Sequence, residues 1–180
     1  MRLFFAVELP AAVRSALGRL QAEDPAYRWV DAAQLHVTLA FLGEQPEARL
    51  PDLEAIGQAA AAASEAGRLR LGEPGSFGPR SAPRVLWIGL AGDVPALLGL
   101  HAGLADRLRA AAFPVEDRPF QAHITLARRR ERAPGRSPAP WPPPHVRSAA
   151  IPLEALTLFQ SRLSPRGATY LPVGHWPLGG

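Results

Sequence analysis

The sequence predicts an α+β fold of antiparallel sheets and helices, arranged as two lobes about a pseudo-two-fold axis. Two observations carry that expectation. Strand-like and helix-like segments follow one another through connections that are either helical or short enough for hairpins. In addition, the stretch Leu35-His-Val-Thr-Leu-Ala-Phe41 returns later as Ala122-His-Ile-Thr-Leu-Ala-Arg128, so one short chain holds two similar half-units. A pseudo-two-fold axis sets the two matching strands on opposite walls of a central cleft. With 180 residues the chain has room for one sizeable core, and a single bilobal domain over 1–180 is expected.

Each element has its own signal. Residues 3–9 are apolar and aromatic and read as a buried strand ending at Pro10. A helix over 11–22 follows, with Val13, Leu17 and Leu20 at helical spacing. A second strand covers 35–42 and stops at Gly43. The alanine-rich segment 46–67 reads as a helix with Leu50, Leu53 and Ile56 on one stripe and Gly67 as its stop. Short strands are expected at 68–71 and 84–90, separated by a Pro/Gly-rich turn region at 73–83. Leu97, Leu100, Leu104 and Leu108 form the stripe of a helix over 94–112, and strands recur at 122–126, 153–160 and 168–172. Between them, 128–147 is rich in Arg and Pro; proline lacks the donor that a helix or central strand needs, so a surface loop is expected.

Composition narrows the chemistry. Cysteine is absent, which excludes disulfides, thiol nucleophiles and cysteine-ligated zinc. No apolar run approaches the ~20 residues of a membrane helix, and the opening segment reads as a strand and not a signal peptide; a cytoplasmic protein is expected. All 20 Lys+Arg residues are arginine. Its planar fork suits phosphate oxygens, although a GC-rich genome produces the same bias, so the partner must be read from particular arginines.

The repeated element supplies those particulars. Side chains alternate across a strand, so His36 and Thr38 share one face while Val37 and Leu39 share the other. The same holds for His123 and Thr125 against Ile124 and Leu126. Each strand therefore has an apolar back and a front carrying an imidazole beside a hydroxyl. A lone His-x-Thr is most often incidental; two copies in equivalent strand contexts are hard to assign to packing. Hydrolysing a cyclic phosphodiester needs a base for water and an acid for the departing ribose oxygen, and histidine serves both near neutral pH. The threonine hydroxyls can donate to the non-bridging phosphate oxygens.

These stretches, with Arg2-Leu-Phe-Phe-Ala-Val-Glu-Leu-Pro10, Trp29-Val30, Pro83-Arg-Val-Leu-Trp-Ile-Gly89, Arg118-Pro-Phe-Gln-Ala-His123 and Leu158 to Tyr170, closely resemble the 2H phosphoesterases, specifically the bacterial LigT-like RNA 2′,3′-cyclic phosphodiesterases. The resemblance implies a bilobal LigT-like fold with helices outside and a basic cleft. It implies opening of a 2′,3′-cyclic phosphate to a 2′-phosphomonoester without metal or nucleotide cofactor. His36 and His123 are then the catalytic pair, with Thr38, Thr125 and Arg128 on the phosphate. Phe41 either stacks on a base or ends its strand as core. The expected partners are RNA ends or nucleotides bearing a 2′,3′-cyclic phosphate, bound by a monomer. Gln121-Ala122 departs from the Pro-based variants common before the second motif, which bears on strand entry and not on the chemistry.

Other histidines carry less. His101 falls on a helix with a solvent-facing role expected; His145 and His175 are incidental candidates. No metal-spaced ligand cluster, P-loop or dinucleotide fingerprint occurs. Arg128-Arg129-Arg130 with Arg132 is either a solvated patch or a guide for an RNA backbone. Two alternatives remain beside hydrolysis: 2′-5′ RNA ligase-type activity, and an RNA-binding module that catalyses nothing.

Overall fold

The computed structural model describes residues 1–21, 24–131, 133, 150–164 and 167–179. Its order is β1 (Arg2–Glu8), α1 (Ala11–Gly18), β2 (Tyr27–Trp29), β3 (His36–Glu44), α2 (Leu50–Ala62), β4 (Gly67–Phe77), β5 (Val85–Gly92), α3 (Val94–Ala110), β6 (His123–Arg129), β7 (Ile151–Leu153), β8 (Ala155–Ser164) and β9 (Gly167–Pro177). The strands form two sheets, β3-β1-β8-β9 and β2-β6-β5-β4-β7, and every pairing in them is antiparallel. The expected α+β, two-lobed architecture is present, with one copy of the repeated motif in each sheet.

α1 and α3 start at the expected residues. Proline stands in the first turn of α2 and of α3, where its missing N–H has no helical acceptor to lose. α3 buries Leu97, Leu100, Leu104 and Leu108, the whole stripe read from spacing. α2 packs on α3 and on β8 and β9, while α3 also reaches β3 and β4. One continuous core results, since Leu3, Phe5 and Val7 of β1 share it with Leu69, Ile88, Ile124 and Ile151 of the other sheet.

Several boundaries differ from expectation. α1 ends at Gly18, short of Leu20. The helix expected over 46–67 begins with a 3₁₀ turn at Glu47–Arg49 and ends at Ala62. The turn region expected at 73–83 is strand as far as Phe77, because Pro74 sits at an irregularity in the β4–β5 ladder where no N–H is required. β9 continues to Pro177, five residues past the expected end. β2 carried no pattern, being only three residues long. Of the loop expected over 128–147, Arg128 and Arg129 belong to β6; residues 132 and 134–149, including Arg132 and His145, lie outside the described residues.

Candidate active site

β3 and β6 lie against each other between the two sheets, which brings the two motifs together. His36 and His123 each stand at the first position of their strand. His36 Nδ1 donates to the Gln34 carbonyl at 2.7 Å, and His123 Nδ1 donates to the Gln121 carbonyl at 2.6 Å. A carbonyl only accepts, so the proton of each neutral ring is held on Nδ1 and the lone pair is left on Nε2. In the first copy the Thr38 hydroxyl meets His36 Nε2 at 2.9 Å and donates to it. Both threonines are half-buried, as are both histidines.

The surroundings of both rings shift their titration in one direction. Burial is the largest influence on His36 and lowers its pKa; the Gln34 carbonyl opposes this, while Arg128 and His123 lower it further. Burial likewise lowers His123 most, with the Gln121 carbonyl and Glu116 opposing and Arg128 adding to the depression. A single guanidinium, that of Arg128, lowers both imidazoles, and the contact of β3 with β6 sets the two motifs beside one space.

Arg128 reaches that space through a local irregularity. Strict alternation from His123 would send residue 128 to the apolar back with Ile124 and Leu126. On β5, however, Trp87 lies opposite Thr125 and Leu86 lies opposite Ala127, so Leu126 is an extra residue. Its carbonyl accepts from Val30 N–H at 2.8 Å. Alternation restarts beyond this bulge, and Arg128, opposite Val85, shares the face of His123 and Thr125. The first motif has the same bulge. Ala6 lies opposite Thr38 and Phe5 opposite Ala40, leaving Leu39 extra and returning Phe41 to the face of His36. Phe41 is 47% exposed, so it is not core. Phe41 and Arg128 are thus equivalent positions that differ in chemistry, one apolar and one cationic.

Aromatic rings frame both histidines, and most carried no individual signal in the sequence. Phe4 lies 4.9 Å from His36 and 5.8 Å from Phe41, and Tyr170 meets His36 edge-on at 5.3 Å. The Gln34 amide donates to the Ala168 carbonyl, tying the entry of β3 to the hairpin that carries Tyr170. Around His123, Phe77 is edge-on at 5.1 Å and Trp87 lies at 5.8 Å. Phe77 and Trp87 follow from β4 and β5 pairing; only the alternation of Val85 and Trp87 on one strand hinted at them.

The remaining histidines have other surroundings. His101 stacks on Phe120 at 4.0 Å and is half-buried, not free in solvent. His175 Nδ1 lies 3.0 Å from the Thr157 hydroxyl, which donates to Glu8 at 2.9 Å.

A family model described as the 2′-5′ RNA ligase superfamily matches residues 7–158. The chain is 40% identical to an RNA 2′,3′-cyclic phosphodiesterase of Thermus thermophilus, over 100% of this chain and 91% of the relative. The chain belongs to the 2′-5′ RNA ligase superfamily. Two solved structures bear out the superfamily's fold for this chain. A crystal structure of a Thermus thermophilus protein superposes with a TM-score of 0.80 at 37% identity, covering 100% of this chain and 99% of that one. Escherichia coli LigT, solved with 3′-AMP, superposes with a TM-score of 0.82 at 30% identity, covering 99% and 98%. No described helix is long and apolar enough to cross a membrane.

Proposed function

We propose that this chain is an RNA 2′,3′-cyclic phosphodiesterase that opens the cyclic ester to a 2′-phosphomonoester by acid–base catalysis between His36 and His123. The observation that carries the reading is the pair of imidazoles, each held through Nδ1 by a backbone carbonyl and each acted on by the same Arg128. With Nδ1 occupied, Nε2 is the atom left to take or give a proton. The curated relative of the same name supports the reaction, and the nucleotide bound by the Escherichia coli protein supports a nucleoside phosphate as ligand.

His36 stands beside Phe4, Tyr170 and the exposed Phe41, an apolar wall suited to a nucleobase. The acid that protonates the departing 3′ oxygen belongs next to the nucleoside, so His36 takes that role. His123 is the more accessible ring and takes a proton from the attacking water. Thr38 turns its hydroxyl from His36 Nε2 to a non-bridging oxygen when phosphate enters; Thr125 and Arg128 hold the remaining charge as it develops. The enzyme works as a cytoplasmic monomer, without metal.

The test is turnover of a 2′,3′-cyclic nucleotide in the presence of EDTA, with the phosphate position of the product identified. A 2′-phosphate is expected at undiminished rate. His36→Ala and His123→Ala each lower kcat by about 10²–10⁴-fold or more, with circular dichroism unchanged. Folded variants that retain substantial turnover would refute the assignment.

A further inference from the structure

We propose that Arg28 is a second phosphate ligand, taking the backbone phosphate on the 5′ side of the reacting nucleotide, so that the preferred substrate is an oligonucleotide with a cyclic end and not a mononucleotide. The inference rests on the reading above and adds the class of substrate to it.

Arg28 of β2 sits directly opposite Arg128 of β6. Residues directly opposite in an antiparallel pair share a face, and the bulge at Leu126 makes that face the one bearing His123 and Thr125. Two like charges in this relation are destabilising in the free protein. Three arginines elsewhere in the chain have a carboxylate close by: Arg49 pairs with Asp52 at 2.8 Å, Arg109 with Asp106 at 3.3 Å and Arg118 with Glu116 at 3.1 Å. Among the described residues neither Arg28 nor Arg128 has a carboxylate partner. A cationic pair left uncompensated beside a phosphate site is resolved by more anionic charge, and RNA supplies it as the next phosphate along the strand.

The order of groups matches the polarity of a substrate. Arg128 acts on both imidazoles and belongs to the reacting phosphate. Arg28 lies one strand further out, on the terminal strand of its sheet. Cross-strand neighbours are about 5 Å apart at Cβ, and two long guanidinium arms diverging from that base span successive phosphates. A phosphate contact carries no base information, so the preference extends to any sequence.

The experiment compares kcat/KM for 2′,3′-cyclic AMP with that for a tetra-adenylate ending in a 2′,3′-cyclic phosphate. Wild type favours the tetranucleotide, and Arg28→Ala lowers the ratio of the two values about 10-fold, through KM. Arg28→Lys keeps the ratio within about threefold of wild type, because the charge is retained. For the tetranucleotide, the slope of log kcat/KM against log salt weakens by about 0.7 in Arg28→Ala, the value for one contact to a single strand. An unchanged ratio, whether both substrates suffer equally or neither does, overturns the proposal. If wild type turns over neither substrate, the catalytic reading fails by itself. Arg28 is then judged on binding of the tetranucleotide: tenfold weaker binding in Arg28→Ala sustains its role, and equal binding ends it.

Discussion

The histidines are tuned by surroundings whose net effect favours the neutral form. Burial lowers both, Arg128 lowers both, and the carbonyls of Gln34 and Gln121 only partly oppose this. Both therefore titrate below the ordinary histidine value of 6.5. Turnover needs one proton on the pair, so kcat/KM, which reports the free enzyme, should be bell-shaped with its apex on the acid side of 6.5. Arg128→Ala removes a positive charge that resists protonation, and the bell moves to higher pH. An apex above 6.5 in the wild type, or one that stays put in Arg128→Ala, removes this account of the site. The stability linkage has a definite sign as well. A histidine with a depressed folded pKa favours folding in its neutral form; that contribution is complete above 6.5 and lost as pH falls through the folded value.

Strands and bulges decide which side chains reach the cleft. Trp87, on the His123 side, rests on Gly75 of β4 so closely that a Cβ there would lie 2.2 Å from its ring. Gly75→Ala must displace Trp87, and His123 loses the surface that holds its ring in place. A fall in kcat/KM of about 10-fold or more is expected, together with altered tryptophan fluorescence and an unchanged far-ultraviolet spectrum. Full activity in that variant would make Trp87 a bystander. This part of the molecule was poorly legible beforehand: Pro74, Gly75 and Gly78 read as turn residues, whereas an irregular ladder accommodates the proline within a strand. The helix α3 was legible because its leucine stripe is a local pattern that packing reinforces.

At the scale of the whole molecule, the two lobes are not independent. Leu100 is fully buried within a core drawing on both sheets and on the helices packed against them. Leu100→Ala should cost about 2–5 kcal/mol and lower one cooperative transition seen alike by fluorescence and far-ultraviolet circular dichroism. Two separated transitions would mean that each sheet folds by itself. A shared core also holds β3 against β6, so the spacing of the two histidines depends on residues remote from the cleft.

The sequence by itself determined the candidate reacting groups. Alternation with period two is a local property of a strand, so His36 with Thr38 and His123 with Thr125 were assigned to one face each without knowledge of any partner strand, and their repetition implied a shared ligand. Tertiary structure alone decided what joins them. Bulges at Leu39 and Leu126 reverse the alternation that would have turned Phe41 and Arg128 inward, and the pairing of β2 with β6 sets Arg28 beside Arg128. Register arises from hydrogen bonds between segments far apart in the chain, and no short stretch of residues encodes it.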